Sequence, residues 1–343
     1  EIKFWEPEKE EIGHEKKVKR KEVPDFSEIN GQQFVKRACE IAVSGRHNLL
    51  MIGPPGAGKT MIARRIPGIL PEMTEEEALE VTKIYSVRGL LTESEAWMAE
   101  RPFRNPHHTI TPQGLAGGGM VPGPGEISLA HHGVLFLDEL AEFRRETLEI
   151  LRQPMEEHCV KLARLAGNYE FPADFMLVAA MNPCRCGYYP DLNRCHCTKG
   201  MVEQYLKKIS QPLLDRIDIC VETKRVEYQD LIKENPHQET STEIRKRVVA
   251  AMERQQQRFV GTNIRYNSRI PAALLTKYCR LSTKQKQYME SIYQKLELTA
   301  RSYHRILRVA RTIADMDGSD EILTRHLSEA VCYRNVDKKF WEG

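Results

Sequence analysis

The chain has 343 residues, 29% of them charged and 41% hydrophobic, with a formal net charge of +3 and nine cysteines. Its apolar runs are strand-sized, far short of the roughly twenty residues a spanning helix needs, which excludes a helical membrane protein and leaves no membrane partner expected. The charge is too nearly balanced to argue for nucleic acid without local patches, and the unevenly spaced cysteines suggest reduced thiols or metal rather than disulfides.

Residues 1–23 alternate Lys and Glu with few apolar positions and no signal-peptide pattern, so they read as a solvated linker or extended arm. A cytoplasmic protein is expected. Because the first residue is Glu1 rather than Met, the sequence is expected to be a piece of a longer polypeptide. From 24 to 222, short β-rich runs alternate with helical stretches, the pattern of a doubly wound parallel sheet in a three-layer α/β/α domain.

The first clear strand, Asn48-Leu49-Leu50-Met51-Ile52, runs into Gly53-Pro54-Pro55-Gly56-Ala57-Gly58-Lys59-Thr60 and then the helix-compatible Met61-Ile62-Ala63-Arg64-Arg65-Ile66. Strand, glycine-rich loop and helix together make a phosphate cradle, with backbone N–H groups turned inward at the positive end of the helix. Lys59 would reach the β- and γ-phosphates of a nucleoside triphosphate, and the Thr60 hydroxyl would ligate Mg²⁺. Further along, Arg101, Arg104, His107 and His108 suit phosphate contacts on DNA, and Phe103 suits stacking on a base, before the glycines Gly117-Gly118-Gly119. For His107 and His108 structural hydrogen bonding is the alternative.

His131-His132 precede the second strand, and adjacent strand residues point to opposite faces, so the pair is expected to be structural and not a chelate. That strand, Gly133 to Leu137, delivers Asp138 and Glu139 at its C-terminal end, where α/β folds place ligands. Asp138 would anchor Mg²⁺, and Glu139 would polarise the water that attacks in line. A hairpin region around Lys161, Arg164 and Asn168 is a second DNA candidate, with a solvated basic turn as its alternative. The third strand, 175–180, leads to Asn182-Pro183. If it lies between the other two, Asn182 stands near the γ-phosphate; otherwise it only starts a turn.

Cys184-Arg185-Cys186-Gly187 and Cys195-His196-Cys197 bring four thiols within fourteen residues. Two close pairs joined by a loop can close on one tetrahedral Zn²⁺, with His196 able to replace a thiolate; a set of reduced, metal-free cysteines is the alternative. Cys39, Cys159, Cys220, Cys279 and Cys332 are isolated and read as core or surface thiols. Arg216 falls between Asp215 and Asp218, where spacing alone favours an ordinary ion pair over an arginine delivered to a neighbour's nucleotide. After 222 the β-rich runs stop, and helical segments at 242–259, 271–278, 283–296, 300–315 and 324–333 predict a smaller all-α lid over 223–343.

These motifs occur in the order and wording of the AAA+ ATPases, and from about Val23 onward the chain resembles their magnesium-chelatase-like branch typified by ComM/YifB proteins. Besides the phosphate loop and the Asp138-Glu139 strand, the matching phrases are Asn105-Pro106-His107-His108-Thr109, Pro124 to His131, Leu151 to Glu156, Met181 to Cys184, and Leu214-Asp215-Arg216. The resemblance implies an AAA+ P-loop NTPase domain with a helical lid, the use of ATP and Mg²⁺, and a hexameric homo-oligomer with ATP at subunit interfaces. It also implies Asn182 as sensor 1, Arg216 as a finger acting on the next subunit, and a lid arginine on the nucleotide. Arg301 matches that role first and Arg305 second, and at an i, i+4 spacing they share one helix face, so the sequence does not separate them. Relatives place the 101–119 loop toward the ring pore and carry an N-terminal Lon-protease-like domain that is expected to be missing here. By resemblance the chain is expected to be a motor on single-stranded or branched DNA, similar to ComM-type branch-migration helicases of recombination and natural transformation. A protein-remodelling ATPase like the magnesium-chelatase motor subunit is the second reading. A nucleotide-dependent scaffold is the third, and the Asp138-Glu139 pair with Arg216 argues against it.

Overall fold

A computed structural model of the chain describes residues 23–91, 97–119, 122–164, 167–225 and 238–341, so nearly all of the expected linker lies outside the described residues. In chain order the strands are β1 Leu49–Ile52, β2 Phe103–Arg104, β3 Gly117–Gly118, β4 Gly123–Pro124, β5 Val134–Leu137, β6 Cys159–Arg164, β7 Gly167–Pro172, β8 Met176–Met181 and β9 Ile219–Glu222. Five of them form a parallel sheet in the order β2-β5-β8-β1-β9, while β3 pairs with β4 and β6 with β7 as antiparallel ribbons.

Every residue of β1, β5 and β8 is buried, the continuous apolar run expected of a parallel sheet covered on both faces. The strand period of two divides these side chains between two cores. Leu49, Met51, Phe136 and Val178 pack under the helix Gln33–Gly45, and Leu50, Leu135, Leu137 and Leu177 pack on the other face. Because β8 sits between β5 and β1, Asn182 follows the strand next to the phosphate loop, and the Gly53 N–H donates to Met181 O at 3.2 Å. Gly53 is also sterically required there: a Cβ at this position would lie 2.1 Å from Thr223 Oγ1.

The helical region beyond β9 starts its elements with side-chain caps: Thr240 and Glu243 form a capping box for Ser241–Arg258, Ser282 and Gln285 one for Thr283–Lys295, and Thr299 caps Ala300–Met316. The expected 271–278 helix is split into a 3-10 turn Ala272–Leu274 and a short helix Leu275–Tyr278. These helices share one apolar core with Gln33–Gly45. Gln255 Nε2 donates to Ser44 O at 2.8 Å, and His47 Nε2 lies 2.8 Å from Thr312 Oγ1. A helix that the periodicity does not reveal, Asn335–Trp341, returns to the opposite face, where Val336 and Phe340 join Tyr205 and Leu206. Among the described residues no helix is long and apolar enough to cross a membrane.

Candidate nucleotide site and its surroundings

The C-terminal ends of β1, β5 and β8 converge on a cavity of about 380 Å³ lined by the phosphate loop, Asp138, Glu139, Met181 and Asn182. Gly58, in the left-handed region at φ 79°, turns the loop into the helix Lys59–Ala63. Lys59 Nζ donates to Gly53 O at 2.7 Å, Pro54 O at 2.9 Å and Asn182 Oδ1 at 3.1 Å, which ties loop and third strand together. Thr60 Oγ1 donates to Asp138 Oδ2 at 2.6 Å, so the two side chains expected to hold Mg²⁺ point at one spot. Their donor set, a hydroxyl and a carboxylate, suits a hard oxygen-seeking cation.

Glu139 has φ 52°, a strained value for a residue with a side chain, and its carboxylate is 59% exposed into the cavity mouth. His108 Nδ1 stands 3.3 Å from Glu139 Oε2. The structure therefore turns His108 toward the acidic pair. Nothing in the local spacing signals this contact, which depends on β2 lying beside β5.

Burial lowers the Lys59 ammonium to about 8, against the opposing pull of the Asp138 carboxylate. Phosphate oxygens favour the charged form, so nucleotide binding raises this pKa and takes up a proton above it. Affinity for ATP is expected to be level below about pH 7 and to fall above about pH 8, by up to about tenfold per unit, until the bound-state pKa is reached. Titration calorimetry across that range checks this, and a flat profile contradicts it.

The arginines lie elsewhere. Arg216, Arg301 and Arg305 line a second cavity of about 820 Å³ together with Arg46, Asn48 and His132, at the edge of the sheet where the strands begin. No arginine lines the phosphate-loop cavity among the described residues. Arg216 pairs with Glu156 at 2.5 Å rather than with the flanking aspartates favoured by spacing, and donates to Arg152 O at 3.1 Å and Pro212 O at 2.6 Å. Arg305 is buried: it donates to Leu214 O at 3.3 Å and Ile217 O at 3.1 Å, and lies 3.7 Å from Asp218. Burial draws its pKa down to about 10. Its guanidinium clamps the loop that carries Arg216, so within one chain Arg305 is engaged by the fold. Arg301, 65% exposed and 3.9 Å from Asp215, is the free member of the pair.

The loop expected to meet DNA is turned largely inward. Arg101 pairs with Glu77 at 2.6 Å and donates to Pro71 O at 2.7 Å and His132 O at 2.8 Å. Phe103 stacks on Phe136 with ring centroids 5.9 Å apart, and Arg104 is bidentate on Glu126 at 2.6 and 2.7 Å. Each of these three thus has a partner inside the fold. His107 stays exposed, 2.9 Å from Thr109 Oγ1. Lys161, 53% exposed on β6, pairs with Glu157 at 2.8 Å, and Asn168 on β7 faces Ala163. The Arg164 side chain lies outside the described residues.

His131 and His132 are not on a strand as expected. His132 has φ 56°, the rings lie 3.9 Å apart, and both Nε2 atoms reach Glu80 Oε2, at 3.0 and 2.8 Å. His131 Nδ1 accepts the Asp174 N–H at 2.9 Å, which leaves its proton on Nε2 to donate to Glu80. In that tautomer His131 Nε2 has no lone pair for a metal, and through Glu80 both rings hold the helix Glu75–Val87. Burial first, and then the neighbouring His132, lower the His131 pKa to about 4.

Cys184, Cys186, Cys195 and Cys197 come together, all four Sγ atoms within 4.8 Å of one another, while His196 is exposed and outside the cluster. Of the isolated cysteines, Cys39, Cys159, Cys220 and Cys279 are buried and Cys332 is exposed.

The chain matches the family model for magnesium chelatase, subunit ChlI, over residues 25–231, and the model for its C-terminal part over 238–334. It is 45% identical to the uncharacterized protein YifB of Escherichia coli over 92% of its length and 61% of that protein's. It is 43% identical to competence protein ComM of Haemophilus influenzae over 90% of its length and 60% of ComM's. Similarity to the magnesium-chelatase 67 kDa subunit of Chlorobaculum parvum is weaker, 28% identity over 46% of the chain and 23% of that subunit. The chain thus spans about 60% of the length of these two curated relatives.

Proposed function

The chain belongs to the magnesium-chelatase-like AAA+ family and is of its ComM/YifB kind, and from that membership we propose that it is an ATP-hydrolysing ring motor acting on DNA. The observation that carries this reading is the separation of parts: the phosphate loop with Asp138 and Glu139 on one edge of the sheet, and Arg216 with exposed Arg301 on the other. One chain then supplies half of each of two sites. Head-to-tail copies put the arginines of one subunit against the nucleotide of the next, and a rotation that closes gives a ring, here a cytoplasmic hexamer.

Within a site, Lys59 and the loop amides bind the triphosphate, and Thr60 and Asp138 would hold Mg²⁺, which when bound neutralises phosphate charge. Glu139 polarises the attacking water, Asn182 fixes Lys59 and the water's side of the cavity, and Arg216 and Arg301 of the adjacent copy stabilise the charge that develops. Zn²⁺ is proposed as a second metal, held by Cys184, Cys186, Cys195 and Cys197. The DNA reading is supported by the similarity to competence protein ComM and by the exposed β6–β7 ribbon carrying Lys161. With Arg101 and Arg104 engaged inside the fold, that ribbon and His107 are the proposed contacts.

The test is the ATPase rate with single-stranded, double-stranded and branched DNA over a salt series. Stimulation several-fold or more by single-stranded or branched DNA is expected, with log affinity falling linearly in log salt. No stimulation together with salt-insensitive binding contradicts the DNA reading and leaves the protein-remodelling alternative.

A further inference from the structure

We propose that Cys184, Cys186, Cys195 and Cys197 close on one Zn²⁺ and that the resulting knuckle braces the phosphate loop through contact of Gly187 with Pro55. The bracing rests on the reading of Gly53 to Thr60 as the nucleotide site. A tetrahedral Zn–thiolate site with bonds of about 2.3 Å places its sulfurs about 3.8 Å apart. Here Sγ of Cys184 lies 3.4 Å from Cys186 and 3.8 Å from Cys195, and Cys186 lies 3.6 Å from Cys195. These spacings fit three thiolates around one ion, with the Cys197 sulfur within 4.8 Å to supply the fourth, and are far beyond the disulfide bond length of about 2.05 Å. Cys184 and Cys195 are buried and belong to the same apolar core as Val202, Tyr205 and Phe340, so the cluster is anchored in the core and not loose on the surface.

The segment from Cys184 to Cys197 contains no helix or strand, and its internal backbone bonds are a few turns, such as Gly187 N–H to Cys184 O at 3.0 Å. A loop with so little regular hydrogen bonding draws its order from a cross-link, and a structural zinc supplies folding energy of that kind. Its position makes the order matter. The knuckle begins two residues after Asn182, whose Oδ1 accepts from Lys59. At its turn Gly187 has φ 88°, and a Cβ added there would fall 2.5 Å from Pro55 Cδ and 3.2 Å from Cγ. The turn therefore lies flat against the phosphate loop, and only glycine permits both the dihedral and the approach. Pro55 is exposed, and this contact packs the knuckle against the loop on that side.

The experiment measures zinc per chain, the melting temperature and the affinity for a fluorescent ATP analogue in three preparations: the unmodified chain never exposed to chelator, the same protein stripped and then resupplied with zinc, and Gly187→Ala. We expect one zinc per chain in the unmodified protein. Stripping is expected to weaken the analogue about tenfold, reversibly on adding zinc. Gly187→Ala is expected to keep its zinc and still lose about tenfold in affinity, because the four thiols are intact while the turn and its contact with Pro55 are disturbed. Zinc well below one equivalent in the unmodified protein overturns the site. Full zinc with unchanged affinity after stripping and in Gly187→Ala overturns the bracing alone. Full zinc with no analogue binding by any preparation overturns the bracing together with the nucleotide reading beneath it. If Gly187→Ala does not fold, the strip-and-resupply arm decides.

Discussion

Glu139→Gln is expected to bind ATP as tightly as the unmodified chain while turning it over about a thousandfold more slowly. The substitution keeps the size of the side chain and removes only the carboxylate that polarises water. Glu139 makes no contact with Lys59 or Thr60, whose partners are Gly53, Pro54, Asn182 and Asp138, so the phosphate cradle should be unaltered. Because the side chain is 59% exposed, the neutral amide carries no folding penalty of the kind a buried carboxylate swap would bring. Equilibrium binding with a non-hydrolysed analogue and single-turnover hydrolysis separate the two terms. A rate within a few-fold of the unmodified chain means that another group polarises the water.

Arg216→Ala is expected to lower hydrolysis by about 10³- to 10⁵-fold, the usual range for an arginine finger, with little change in ATP affinity. The affinity is preserved because the ground-state phosphate contacts come from each chain's own loop and Lys59, while the neighbour's Arg216 acts on charge that develops in the transition state. Folding should also survive. The partner left behind, Glu156, is 56% exposed and stays solvated, so the cost is confined to the two carbonyls, Arg152 O and Pro212 O, that lose a donor. Full activity of an all-Arg216→Ala protein would refute the finger assignment. Arg305 clamps Leu214 O and Ile217 O beside Asp218, so its removal is expected to disturb the position of Arg216 and to cost stability.

Contiguous motifs were legible in the sequence, and distant partners were not. The strand before Gly53, the strand before Asp138 and the strand before Asn182 announce themselves as apolar runs, because a parallel sheet buried on both faces leaves them no polar positions. The helices after β9 show their period and their capping residues, whereas Asn335–Trp341 is too short to show a period and is held by packing. Arginines are where local reading fails. A basic loop such as 101–108 looks the same in sequence whether its charges meet phosphate or carboxylate, and only the fold reveals that Glu77 and Glu126 are already there. The same holds for Arg301 and Arg305, equivalent by spacing and separated by burial, 65% exposed against 9%. His131 and His132 show a third limit. A left-handed residue before β5 replaces strand geometry with a turn, brings the two rings together and recruits Glu80 from a helix some fifty residues away.

The claim that each ATP site is shared between two chains has a direct test in mixing. Lys59→Ala cannot hold the triphosphate and Arg216→Ala cannot trigger its neighbour, so each protein alone should be nearly inactive. In rings assembled from equal amounts of both, about one interface in four pairs an intact Lys59 with an intact Arg216 from the next subunit. The mixture is expected to regain up to about a quarter of the unmodified ATPase rate. A mixture as inactive as its two components, in rings shown to contain both chains, would contradict the claim.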